Sequence, residues 1–228
     1  MGIFITFEGI DGSGKTTVSK ILKARLEKDG CKAMLIKEPT ETPLGKFIRG
    51  EILGTRTDTA APLGALTALF LFSADRTVHI DEIKAKLNCL DVIICDRFID
   101  STFAYQAAGL NNTVEDKHLK NFIFYVSEFI LKQKKFSIDR TYLFDLKPET
   151  ALGRLSGRVG KIDGFDARPL DFFNSVRNNY LFLTEKHKRR IKIIDASAPP
   201  ENTAEKIEAD ILKMLEKRKP LKMIKQIG

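Results

Sequence analysis

The sequence predicts an α/β fold in which a five-stranded parallel sheet is covered by helices on both faces. Three observations carry that prediction. Short runs of β-branched and aromatic residues recur along the chain and alternate with segments of helical periodicity. One of those runs, Val92-Ile93-Ile94-Cys95, is apolar without interruption, as suits a strand buried on both faces of a covered parallel sheet. Between the first run and the helical segment after it lies Gly9-Ile10-Asp11-Gly12-Ser13-Gly14-Lys15-Thr16-Thr17, a Gly-rich turn where strand passes into helix.

The first strand is expected at 2–8, where Ile3, Phe4, Ile5 and Phe7 form an apolar run, and the first helix at 15–29. A second strand at 32–38 precedes helical segments at 43–53 and 62–88, the latter with Pro62 in its first turn. The third strand, 91–97, is followed by a helix at 114–134 with Asp116 at its opening. Strands at 138–146 and 190–195 and helices at 148–157, 169–188 and 201–218 complete the alternation. Segment 157–168 has three glycines, two arginines and a lysine with no period of either kind, and reads as a mobile basic loop able to close over a site. With 228 residues, the chain suits one sizeable domain, 1–228, with this lid at about 156–168 and a basic tail at about 218–228.

Composition narrows the setting. Cys31, Cys89 and Cys95 lack metal-ligand spacing, and Cys95 sits inside an apolar run as a small core residue, which fits a reducing cytoplasm. No leader precedes the first strand and no run approaches the 18 or so apolar residues of a membrane span, so a soluble cytoplasmic protein is expected, with no membrane partner. The net charge is +8, but residues 213–228 hold Lys213, Lys217, Arg218, Lys219, Lys222 and Lys225 against Glu216 alone. The excess is mostly a tail without interleaved aromatics, so no stable nucleic-acid partner is expected.

The Gly-rich turn has the spacing of a P-loop, and its strand-loop-helix setting points to the P-loop NTPase fold. In such a loop Gly9, Gly12, Ser13 and Gly14 turn backbone N–H groups onto a phosphate, Lys15 reaches the outer phosphates, Thr16 reaches magnesium, and Thr17 opens the helix whose N-terminal dipole favours an anion. Asp96 ends the third strand, where a P-loop protein sets a carboxylate for the metal. Arg97 beside it aims a donor fork at the same crevice, which a second phosphate would explain. Arg49 is a further anion candidate. Phe72 and Arg76, four residues apart on one helical face, either present a ring and a donor fork to a planar ligand or form a core phenylalanine beside a salt-bridged arginine.

These residues resemble the thymidylate kinase family of bacterial type, over nearly the whole chain. Phe7-Glu8-Gly9-Ile10-Asp11-Gly12-Ser13-Gly14-Lys15-Thr16-Thr17 is similar to its first motif, and Lys37-Glu38-Pro39-Thr40 resembles its Arg-Glu-Pro segment. Asp96-Arg97-Phe98, then Ser101-Thr102, then Ala104-Tyr105-Gln106 resemble its Asp-Arg-Tyr, Ser-Thr and Ala-Tyr-Gln signature. Asp171-Phe172-Phe173-Asn174, with Arg177 and Tyr180, looks like the segment beyond the lid.

The resemblance implies phosphoryl transfer from ATP with magnesium to dTMP, giving ADP and dTDP. It implies that Arg49 and Arg97 clamp the acceptor phosphate and that Asp11 contacts the 3′-hydroxyl or a metal-bound water. It also implies that Phe72 stacks on thymine, that Arg76 and Thr102 read its edge, and that Tyr105 crowds the 2′ position. Glu38, Pro39, Ser101 and Gln106 belong to the same acceptor-side motifs. The family includes members with a basic residue inside the P-loop and others that supply it from the lid. Ile10-Asp11-Gly12-Ser13 has none, so the lid is expected to bring it, with Arg158 first and Lys161 or Arg168 behind. The lid departs from the related pattern, since Asp163-Gly164-Phe165-Asp166 carries glycine at the arginine position. Another P-loop kinase of a nucleotide or nucleoside remains an alternative, as does an acceptor-independent ATPase, although no Asn-Lys-x-Asp guanine-reading segment is found. A homodimer through helix 62–88 is implied by the resemblance; a helix central to the monomer would explain its apolar excess equally well.

Overall fold

A computed structural model describes residues 1–53, 64–110, 113–156 and 168–218. Five strands, β1 (Ile3–Glu8), β2 (Ala33–Lys37), β3 (Val92–Asp96), β4 (Arg140–Asp145) and β5 (Ile191–Asp195), form one sheet in the order β2-β3-β1-β4-β5. All four neighbouring pairs are parallel. Each expected strand is present, shorter at its ends by a residue or two. The described helices are α1 (Lys15–Lys28), α2 (Pro43–Ile48), α3 (Ala65–Lys86), α4 (Ile99–Gln106), α5 (Val114–Gln133), α6 (Pro148–Ser156), α7 (Leu170–Lys186) and α8 (Pro200–Arg218).

The side-chain alternation of a strand explains why the sheet is covered on both sides. The register sets Phe4 beside Ile93 and Ile5 beside Ile94, so neighbouring strands send matching residues to the same face. On one face Phe4, Ile93 and Cys95 pack with Ile80, Ile83, Ile130 and Phe136. On the other, Ile3, Ile5, Phe7, Val92 and Ile94 pack with Val18, Leu22, Leu26, Phe173 and Val176. Each large side chain so enclosed contributes roughly 1.5–3 kcal/mol of transfer free energy. Because all strands run in one direction, the loops leaving their carboxyl ends share one edge, and the crevice of an open parallel sheet forms there.

The helix expected at 43–53 is α-helical only to Ile48 and continues as a π-helical turn, Arg49–Leu53. The helix at 114 opens on Thr113, whose hydroxyl accepts from the Asp116 N–H at 3.1 Å, with Asp116 in its first turn. Helix α4 carried no helical signal in the sequence. Of its eight residues all but Ser101 are buried, so it has no polar face to produce a period. Pro62 lies outside the described residues.

A buried ion pair fixes α4 to the sheet. Arg190 donates to both carboxylate oxygens of Asp100, at 2.6 and 2.8 Å, and to the Thr141 hydroxyl at 2.6 Å. Burial works against the Asp100 charge, but Arg190 outweighs it and holds the carboxyl below its ordinary range. Among the described residues no helix is long and apolar enough to cross a membrane.

Candidate active site

The loop after β1 is held open by glycines that nothing else could replace. Gly9, Gly12 and Gly14 have φ of 138°, 80° and 88°, and a Cβ on Gly9 or Gly12 would lie 2.5 Å from the carbonyl oxygen of Phe144 or Ala151. Gly14 leads directly into α1, and Lys15, its first residue, turns back into the loop. Its ammonium donates to the carbonyls of Gly9 and Ile10, both at 2.9 Å, and to the Ser13 hydroxyl at 3.3 Å. Burial, then the neighbouring Arg97, lower the Lys15 pKa to about 8, which leaves it cationic at neutral pH. One residue on, the Thr16 hydroxyl donates to an Asp96 carboxylate oxygen at 2.7 Å. The two predicted metal ligands are therefore adjacent, although 80 residues apart in sequence. Both offer hard oxygen, the donor type that suits magnesium.

Arg97 is the hinge between this loop and the next space. It adopts φ 68°, a left-handed conformation that costs a non-glycine residue roughly 1 kcal/mol or more. Its own N–H donates to the Phe7 carbonyl at 3.0 Å, and the next N–H, of Phe98, donates to a Glu8 carboxylate oxygen at 2.8 Å. The guanidinium donates to Asp11, to the Gly9 carbonyl at 3.1 Å and to the Tyr105 hydroxyl at 3.0 Å, and lies over the Tyr105 ring with its carbon 4.8 Å from the centroid. Asp11 also accepts from the Tyr105 hydroxyl at 2.7 Å. Burial alone would raise the Asp11 pKa, but Arg97 and Lys15 outweigh it and bring it down to about 2.

Beyond Arg97 opens a cleft whose lining brings together every residue that the sequence assigned to an acceptor: Asp11 and Arg97, Glu38, Pro39 and Arg49, Phe72 and Arg76 of α3, and Ser101, Thr102, Tyr105 and Gln106 of α4. Arg49, at the end of α2, donates to the Pro39 carbonyl at 2.7 Å. Of the two alternatives for Phe72 and Arg76, the salt-bridged arginine is present, whereas Phe72 is only half-buried and is not a core residue. Arg76, 2% exposed, donates to Glu38 at 2.9 Å and to the Phe98 carbonyl at 3.2 Å, yet lines the cleft with Phe72. Arg49 Nε and Arg76 Nη1 are buried N–H groups without a protein partner, which equips this cleft to satisfy a polar ligand.

Several features of the site escaped the sequence reading. A second cleft, of about 580 Å³, uses Gly12, Ser13, Gly14 and Thr17 as one wall and Arg154, Ala196, Ala198, Pro200 and Thr203 as the other. The far wall comes from α6, the turn after β5 and the start of α8, so only the loop side was visible as a motif. His79 adds a ring nitrogen 3.1 Å from Glu38, one helical turn beyond Arg76. Glu8 is fully buried at the end of a mostly apolar strand, and that buried charge was the available signal. Burial, then the nearby Asp100, push its pKa up to about 7. Arg158, Lys161 and 163–166 lie outside the described residues. Arg168 lies within them, its guanidinium carbon 5.3 Å from the centroid of the Phe172 ring. That ring is in turn 6.2 Å from Tyr105.

Comparison with known proteins supplies an independent line. The family model described as thymidylate kinase matches residues 7–207. The chain is 35% identical over 215 residues to a thymidylate kinase of Bifidobacterium longum subsp. infantis, covering 94% of this chain and 88% of that one. It is 33% identical over 221 residues to one from Exiguobacterium sibiricum (96% and 99% covered), and 35% identical over 219 residues to one from Pseudomonas savastanoi pv. phaseolicola (96% and 99%).

Proposed function

The chain belongs to the thymidylate kinase family, and on that premise we propose that it transfers the γ-phosphoryl group of ATP to dTMP, giving ADP and dTDP in dTTP synthesis. One observation carries the reading. Arg97 donates to the Gly9 carbonyl of the phosphate loop while lining the arginine-rich cleft, so two anion sites share one cation. An ATPase without an acceptor has no use for the second site.

A phosphate monoester has its second pKa near 6, so dTMP arrives largely as a dianion and needs no strong base to become a nucleophile. The obstacle is bringing two multiply charged anions into line, which calls for position and positive charge. Arg49 and Arg97 hold the acceptor phosphate; Lys15 and the loop amides hold the donor phosphates. Asp11, paired with Arg97 and Tyr105, orients the clamp and faces the sugar. Phe72 offers a ring to thymine, while Arg76, Thr102 and Gln106 offer polar groups to its edge. Tyr105, which lines the cleft, is assigned to crowd the sugar's 2′ position. Magnesium would be held by Thr16 and Asp96, directly or through water, and would neutralise charge on the donor phosphates. A lid cation completes the charge balance, with Arg158, Lys161 and Arg168 as the candidates.

A screen of nucleoside monophosphates and nucleosides with MgATP tests the substrate. dTMP is expected to be consumed fastest and ATP hydrolysis without acceptor to be minor. Faster use of thymidine or cytidine monophosphate would overturn the assignment.

We extend the proposal to a homodimer through α3 and α5. Leu66 and Phe70 of α3 and Phe122, Tyr125 and Phe129 of α5 are exposed, with Tyr125 61% exposed, and the Phe70 and Phe122 rings meet at 6.4 Å. Residues 122, 125 and 129 recur at helical spacing, so they form one continuous apolar stripe suited to a second copy. Sedimentation of wild type at micromolar concentration is expected to give a dimer, and Phe70→Glu combined with Tyr125→Glu a folded monomer. A wild type that stays monomeric at tens of micromolar would remove this interface.

A further inference from the structure

We infer that Glu8 is the positioning residue for Arg97, and that through it the end of β1 sets the affinity for the acceptor's phosphate while leaving that for its nucleoside unchanged. The inference rests on the reading that Arg97 holds the dTMP phosphate. Glu8 lies outside the cleft, fully buried, so it touches no substrate. Its three side-chain hydrogen bonds instead go to residues that hold Arg97. One carboxylate oxygen accepts from the Phe98 N–H at 2.8 Å, and so fastens the residue that follows the left-handed turn. The other accepts from the Ser101 hydroxyl at 2.5 Å and from the Tyr180 hydroxyl at 2.9 Å.

Proton counting shows what this arrangement does. Each hydroxyl has one proton to donate and lone pairs with which to accept. Ser101 and Tyr180 lie 2.8 Å apart, and without Glu8 one would spend its proton on the other. In the ionised form of Glu8 both protons are directed at its carboxylate, and both hydroxyl oxygens keep lone pairs for the guanidinium. Arg97 Nη1 donates to them at 3.2 and 3.4 Å. The carboxylate thus fixes the backbone of Arg97 from one side and the orientation of its fork from the other. A buried charge with three protein donors is a costly feature at the end of a strand, where leucine or valine would pack without penalty. Its retention at this spot is explained if it orders the one side chain that joins the two anion sites.

Glutamine at position 8 keeps the size but has a single acceptor oxygen. It satisfies either Phe98 or the hydroxyl pair, and its amide N–H₂ opposes whichever donor remains. Tyr180→Phe removes one oxygen from the same relay and keeps the ring that packs beside Tyr105. The test measures dTMP and thymidine binding by calorimetry in wild type, Glu8→Gln and Tyr180→Phe, with steady-state KM for dTMP and ATP alongside. The phosphate is the only difference between the two ligands, so a merely structural role for Glu8 would weaken both alike. Glu8→Gln is expected to weaken dTMP tenfold or more, with thymidine and the ATP KM changing less than twofold, and Tyr180→Phe to shift dTMP alone in the same direction by a smaller factor. Equal loss for dTMP and thymidine, or unchanged dTMP binding in either folded variant, overturns the positioning role. Should Glu8→Gln not fold, Tyr180→Phe decides the question alone. A wild type that binds dTMP no better than thymidine would instead refute the acceptor-phosphate reading itself.

Discussion

Replacing Arg97 by alanine is expected to lower kcat/KM for dTMP at least about 100-fold, equivalent to about 2.7 kcal/mol of lost transition-state stabilisation. The size follows from the number of functions lost together. The guanidinium is largely enclosed by Asp11, the Gly9 carbonyl and the hydroxyls of Ser101, Tyr105 and Tyr180, with its side chain 20% exposed, so its charge acts in a partly dehydrated setting. Without it the acceptor phosphate meets Asp11 unopposed, and attraction turns into repulsion. The variant also loses a contribution to stability. Asp11 is held at about 2, below its ordinary 3.8, so the wild-type pairing stabilises the fold above about pH 4 and fades as the pH falls toward 2. The variant should therefore melt lower than wild type at pH 7, with the difference narrowing in acid. Arg97→Lys should recover only part of the rate, because a point charge cannot reproduce a planar fork that serves several acceptors at once. Steady-state kinetics over a dTMP series, with melting curves at two pH values, check both effects. A kinetic loss under fivefold would contradict the assignment of Arg97 to the acceptor phosphate.

The fold was legible because its strands announce themselves independently of context. Ile3, Phe4, Ile5 and Phe7, like Val92 to Cys95, send apolar side chains to both faces, and a sheet covered on both sides accommodates such runs. The donor loop was legible for a similar reason: Gly9, Gly12 and Gly14 are required by backbone conformation and close approach, which leave a mark at fixed spacing. Helix α4 left no such mark, since burial on nearly every side removes the periodicity that identifies a helix. Arg97 and Arg49 could be read as anion ligands from the residues alone, but the base-reading residues needed the family motifs, because Phe72 and Arg76 alone are as compatible with a core as with a ligand. Their geometry shows why that ambiguity could not be resolved from spacing. Arg76 is ion-paired to Glu38 and faces the cleft, and a residue that does both looks like either. Glu8 and Tyr180 act across 172 residues of sequence, and the second cleft joins the loop to the turn after β5. Such pairings arise from topology, which places the carboxyl ends of β1, β3, β4 and β5 side by side, and no local pattern encodes them.

Lys15→Ala is expected to lower turnover at least about 100-fold at saturating MgATP and dTMP, while leaving dTMP binding within about twofold of wild type. The separation from Arg97 is the substance of the prediction. Lys15 is 5% exposed and its ammonium sits inside the loop, against the carbonyls of Gly9 and Ile10 and the Ser13 hydroxyl. Those three oxygens aim the charge at the interior of the phosphate cradle, and the residue does not line the acceptor cleft. Its charge is therefore matched to the donor's outer phosphates, where negative charge is redistributed as the phosphoryl group transfers, and is of little consequence for dTMP at rest. Arginine should not substitute. The Lys15 ammonium is buried against three oxygens, those of Gly9, Ile10 and Ser13, and a planar guanidinium is larger than an ammonium and fixes its donors in one plane. Lys15→Arg is accordingly expected to fall with alanine and not with wild type. Turnover, dTMP affinity and circular dichroism on the two variants test this together. Retention of more than about a fifth of wild-type turnover by folded Lys15→Ala would place the cation that meets the donor phosphates elsewhere, with the lid residues next in line.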